Sequence, residues 1–74
     1  MDINNFMNIL RNELNENLFY NVELYKEFNK YDETYLIQVI AKRNYDEYDC
    51  GFSIHKNWLD SITINEIVNT LLND

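Results

Sequence analysis

The chain has no proline, one glycine, one cysteine and one histidine in 74 residues, and six Lys and Arg against thirteen Asp and Glu. A single cysteine excludes an internal disulfide framework. One cysteine and one histidine fall short of the roughly four soft ligands that a structural zinc site takes. With one glycine, no phosphate-cradling loop can be written. A formal net charge of −7 argues against direct nucleic-acid binding, which needs Lys and Arg on phosphates. No apolar run approaches the ~18–20 residues of a membrane span. No basic stretch followed by an apolar one marks a signal peptide. The expectation is a soluble, acidic, cytoplasmic protein with no cofactor and no metal, forming one domain over residues 1–74.

What is present suffices for a core. Apolar residues make up 46% of the chain and aromatics 15%, so wholesale disorder is not expected. Area scaling for this mass gives roughly 4,900 Å² of folded surface against roughly 13,000 Å² unfolded. Such a domain folds alone with little margin, and a homodimer would add buried area. Thirteen Asn and eight Ile point to an AT-rich coding genome, as in a low-GC bacterium, its phages or its mobile elements. For a phage protein the compartment would be the host cytoplasm.

The apolar pattern predicts five elements. Asp2 is placed to cap a helix carrying Ile3, Phe6, Met7, Leu10 and Leu14 on one stripe, fading near Asn15–Asn17. Alternation follows, with Tyr20, Val22, Leu24 and Phe28 on one parity and Asn21, Glu23, Tyr25 and Glu27 on the other. After a polar turn at 29–33, Thr34–Arg43 carries apolar residues on both faces, as a central strand does. A turn at Asn44-Tyr45-Asp46 leads to a third strand, with Tyr48, Cys50, Phe52 and Ile54 on its apolar side. Trp58 and Leu59 are expected to close the edge of the core. Thr63-Ile64-Asn65-Glu66 has the capping-box pattern, opening a helix with Ile64, Ile67, Val68, Leu71 and Leu72 on one side. The predicted fold is α+β: an α-β-β-β-α two-layer sandwich, a three-stranded antiparallel sheet with two helices on one face.

Catalytic chemistry is hard to assemble from these residues. Cys50 and His55 lie five apart on one predicted strand, so they point to opposite faces and cannot form a nucleophile–base pair. Asp46-Glu47-Tyr48-Asp49 is rich in oxygen ligands but lacks calcium-loop spacing. The chain is read as a non-enzyme.

Attention therefore falls on the sheet face away from the helices. It is expected to carry Phe19, Asn21, Glu23, Tyr25 and Glu27, then Thr34, Leu36, Gln38, Ile40 and Lys42, then Glu47, Asp49, Ser53 and His55. An apolar centre within an acidic margin is typical of protein interfaces. Glu47 and Asp49 would stand about 6.8 Å apart on a strand, near twice the ~3.4 Å per-strand charge spacing of B-DNA. Glu23 and Glu27 would stand about 13 Å apart, and Asp32, Glu33 and Asp46 in the turns would extend the track. The candidate partner-binding residues are Glu23, Tyr25, Glu27, Leu36, Ile40, Asp46, Glu47 and Asp49. Lys26, Lys30, Lys42, Arg43 and Lys56 are intermixed with them, and a solvated acidic face that only maintains solubility is the simpler alternative.

The opening Met1-Asp2-Ile3-Asn4-Asn5-Phe6 starts a helix, Tyr35-Leu36-Ile37-Gln38-Val39-Ile40 forms a strand, and a third strand leads to a helix. In this order the chain resembles small acidic phage-encoded anti-CRISPR proteins that inhibit Cas9. The dense acidic run near that family's end has no counterpart here, since only Glu66 and Asp74 are acidic after Asp60. Its site residues are therefore not carried over. The resemblance implies an acidic face that occupies a nuclease's DNA-binding groove and blocks target recognition. The element order is also similar to a double-stranded-RNA-binding domain, but residues 61–74 contain no Lys or Arg. Two functions are expected as alternatives. One is an inhibitor that binds a basic nucleic-acid-handling protein such as a Cas nuclease. The other is a homodimeric assembly module joined through the open sheet face.

Overall fold

The computed structural model describes residues 1–73 and has the predicted α-β-β-β-α order. Helix α1 spans Ile3–Glu16, and the Asp2 carboxylate accepts the Asn5 backbone N–H at 2.9 Å to cap it. Its stripe buries Phe6, Leu10 and Leu14 completely. The helix ends in a paired-carbonyl cap. Leu18 N–H donates to the Asn15 carbonyl and Phe19 N–H to the Leu14 carbonyl, with Leu18 in the left-handed region at φ 70°. Glycine usually fills that position; here an exposed leucine does.

Strands β1 (Tyr20–Asn29), β2 (Thr34–Arg43) and β3 (Asp46–His55) form an antiparallel sheet in the order β1-β2-β3. The β1–β2 turn is held by the Asn29 side-chain oxygen, which accepts the Tyr31 N–H at 2.9 Å. A two-residue connection with Asn44 at φ 58° joins β2 to β3. A 3₁₀ turn, Lys56–Trp58, then leads to helix α2, Ser61–Leu72.

Three expectations about the packing are corrected. Phe19 is 2% exposed and belongs to the core, whereas Tyr20 is 47% exposed. The cause is a bulge: Tyr20 pairs with Lys42 and Glu23 with Ile40, so β1 spends three steps where β2 spends two. Asn21 takes φ 52° at that bulge. Strict alternation cannot turn both Phe19 and Val22 toward the core, where the first is buried and the second partly buried; the extra residue lets it. The cap of α2 is Asp60, whose carboxylate accepts the Thr63 N–H at 2.8 Å, so the Thr63–Glu66 pattern lies inside the helix. This bond and the Thr63 hydroxyl hold the Asp60 carboxyl below its ordinary value of 3.8. Finally, Leu59 closes the core edge, but Trp58 does not and is 66% exposed.

The core lies between the sheet and the two helices, from Phe6, Leu10 and Leu14 through Ile37, Val39 and Ala41 to Ile64, Ile67 and Leu71. The accessible surface of 5017 Å² matches the size-scaling expectation. Among the described residues no polar side chain is buried without a partner, and no helix is long and apolar enough to cross a membrane.

Candidate functional site

The opposite sheet face is left uncovered, and its layout follows from the register. Directly opposed residues point to the same side. Five rows cross the sheet: Tyr20–Lys42–Glu47, Glu23–Ile40–Asp49, Tyr25–Gln38–Gly51, Glu27–Leu36–Ser53 and Asn29–Thr34–His55. The first of these lies at the end near the β2–β3 turn, beyond the bulge of β1. The acids therefore stand on the two outer strands and flank a central column of Leu36, Gln38 and Ile40.

Seven of the eight sequence-predicted residues meet on this face. Tyr25 and Leu36 are half exposed, and Ile40 is partly buried between Glu23 and Asp49. Asp46 is the exception. It is no turn residue but the first residue of β3, opposite Arg43, on the parity of Tyr48 and Cys50. That parity faces the helices. Phe19 leaves the face altogether, and Asn21 sits at the bulge. Tyr20 is the residue that alternation missed: its pairing with Lys42 brings it to the open side, and its hydroxyl donates to the Asn44 carbonyl at 3.1 Å.

The basic residues are sorted the other way. Lys26 points to the helix layer and its ammonium donates to Asn4 Oδ1 at 2.8 Å. Arg43 also turns there, its Nε donating to the Asn17 carbonyl at 2.9 Å and its guanidinium lying 5.7 Å from the Phe19 ring centre. Arg11 bonds the Val22 carbonyl at 2.8 Å. Lys30 sits over Tyr31 in the turn, and Lys56 pairs with Glu33 at 3.1 Å. Of the six bases, Lys42 alone stands on the open face, 3.4 Å from Glu47. Asp49 accepts a hydrogen bond from Gln38 Nε2 at 2.8 Å, which fixes its carboxylate over the sheet without neutralising it. Shallow hollows lie at both ends of the face, one edged by Glu23, Ile40, Glu47 and Asp49, the other by Glu27, Leu36 and Ser53.

Cys50 and His55 fall on opposite sides of β3, as their spacing requires. His55 Nδ1 accepts the Asn57 N–H at 3.1 Å, which makes the imidazole a cap of the 3₁₀ turn. No group of three or more His, Cys, Asp or Glu among the described residues is arranged to hold a metal ion. No family model, curated protein or solved structure matches this chain.

Proposed function

We propose that this chain is a protein-binding inhibitor that presents its open sheet face to a basic, nucleic-acid-handling protein. The observation that carries this reading is the charge sorting. Glu23, Glu27, Glu47 and Asp49 share one face with a single lysine, while Lys26 and Arg43 from the same sheet are turned into the helix layer. A surface kept acidic only for solubility needs no such separation, because intermixed signs serve as well. Tyr25, Leu36 and Ile40 supply the apolar anchors within the charged margin. The acids steer and register the partner; the anchors hold it.

Carboxylates on two outer strands present two lines of negative charge across a twisted sheet, which makes a groove built for a nucleic-acid backbone the natural counterpart. The resemblance to anti-CRISPR proteins names one such partner, a guide-loaded Cas nuclease. The test is competition. A labelled target duplex is bound to guide-loaded Cas9 from a low-GC bacterium, and the protein is titrated in. Displacement of the duplex, weakening as salt is raised, supports the reading. A duplex that stays bound under excess protein at low salt removes the Cas version of it.

A further inference from the structure

The two edges of the sheet are treated differently. The β1 edge is closed to further pairing: the bulge at Asn21 twists it, Arg11 occupies the Val22 carbonyl, and Lys26 stands mid-strand. β3 has none of these devices. It pairs with β2 one-to-one over ten residues and contains no Pro, Lys, Arg or bulge; its charges are the carboxylates of Asp46, Glu47 and Asp49, all in its first four residues. A long, regular edge is a template for another strand, provided its charges meet no like charge there.

The sequence of β3 specifies which strand. We infer that β3 pairs antiparallel with β3 of a second copy about a two-fold axis through Gly51, joining two sheets into one of six strands. A two-fold antiparallel pair keeps each residue on its own face, so apolar Tyr48, Cys50 and Phe52, all only partly buried in one chain, extend the core toward their counterparts. The charges choose the register. Centred on Gly51, Asp49 lies opposite Ser53 and Glu47 opposite His55, and Asp46 lies at the end of the ladder beside the 3₁₀ turn that begins with Lys56. No like charges meet. Centred one residue earlier, Asp46 would face Ile54, an uncompensated carboxylate against the core side. Centred one residue later, Tyr48 would face Lys56 and fewer strand residues would pair.

Gly51 fits this position. Its backbone needs no glycine, since its φ is not positive, and an added Cβ would meet only Leu36 Cδ1 at 3.8 Å, an ordinary contact. The fold of one chain therefore does not demand glycine there. Nor does the two-fold pair demand it, since opposed residues of an antiparallel ladder stand side by side with their side chains on one face, so position 51 can be varied without blocking the pair. The same pairing would carry exposed Tyr45 of each copy toward exposed Trp58 of the other. This inference does not depend on the proposed function, because it leaves the open face free and doubles its extent.

Two measurements test it. Sedimentation of the wild-type protein across a concentration series should show a reversible dimer. Gly51→Cys and Ser53→Cys, each in a Cys50→Ser background, should then separate the register. Residues directly opposed stand about 4.5–5.5 Å apart, within disulfide reach, whereas the two copies of position 53 would be roughly 13 Å apart. Mild oxidation should crosslink Gly51→Cys about tenfold or more faster than Ser53→Cys. A wild-type chain that remains monomeric throughout the series overturns the inference. So does equal crosslinking of the two variants, or a dimer abolished by Leu36→Glu, which would place the contact on the open face.

Discussion

Phe19 and Tyr20 are neighbours with opposite fates. Phe19 follows the cap of α1, packs edge-on against Tyr48 with ring centres 5.5 Å apart, and is sealed from solvent. Tyr20 lies outside. Phe19→Ala should therefore cost about 3–5 kcal/mol, and Tyr20→Ala under about 1 kcal/mol. For a chain of this size, total stability is roughly 4–11 kcal/mol, so the first variant should be marginal in a urea titration and the second close to wild type. Equal losses would contradict the bulge. Asp60 offers a second residue-scale check. Its folded carboxyl titrates below 3.8 because the Thr63 N–H and hydroxyl bond its ionised form. A depressed acid contributes stability that is full above its unfolded value and lost as pH falls through the folded one. Asp60→Asn keeps a capping oxygen but does not titrate. Melting temperatures followed from pH 6 to pH 3 should fall less steeply for the variant; parallel slopes would show that Asp60 carries no acid-linked stability.

At the scale of elements, the helix ends show why some features were legible in the sequence and others were not. Periodicity located both helices and all three strands, because burial of one face imposes a period that the apolar residues must follow. Asp2 was readable as a cap for the same reason that Asp60 was not. Before Ile3 a single acceptor was available, whereas Asp60 competes with Ser61 and with a Thr-x-x-Glu pattern, and the choice depends on where the 3₁₀ turn ends. Leu18 is invisible to pattern reading. Its left-handed backbone is imposed by the two hydrogen bonds that turn the chain from α1 into β1. It is largely exposed, so replacing it removes little packing. Leu18→Gly should stabilise the protein by about 0.5–1 kcal/mol, the relief of left-handed strain less the added chain entropy. A thermal or urea midpoint at or below wild type would contradict this. The bulge belongs here too: one residue slips the phase of β1, so Phe19 and Tyr20 exchange sides while Glu23, Tyr25 and Glu27 keep the places that alternation gave them.

For the whole molecule, composition states that the chain is acidic, and only the fold states where the acid lies. Glu23, Glu27, Glu47 and Asp49 were readable as face-mates from parity alone. The withdrawal of Lys26 and Arg43 was not, because it depends on Asn4 and Asn17 at opposite ends of α1. Asp46 was misplaced for a related reason. The connection between β2 and β3 takes two residues rather than three, which draws Asp46 into the strand and onto the helix side. The exposed helix acids supply a control. Glu23→Lys with Asp49→Lys and Glu16→Lys with Glu66→Lys change the net charge equally, but only the first pair lies on the open face. The most direct measurement is duplex displacement from guide-loaded Cas9 by these two double variants beside the wild type at one salt concentration. The open-face pair should lose affinity about tenfold or more while the other stays within a few-fold of wild type. Equal losses in both would mean that net charge, not the face, does the binding; undiminished displacement by the open-face pair would remove the acidic face from the function altogether.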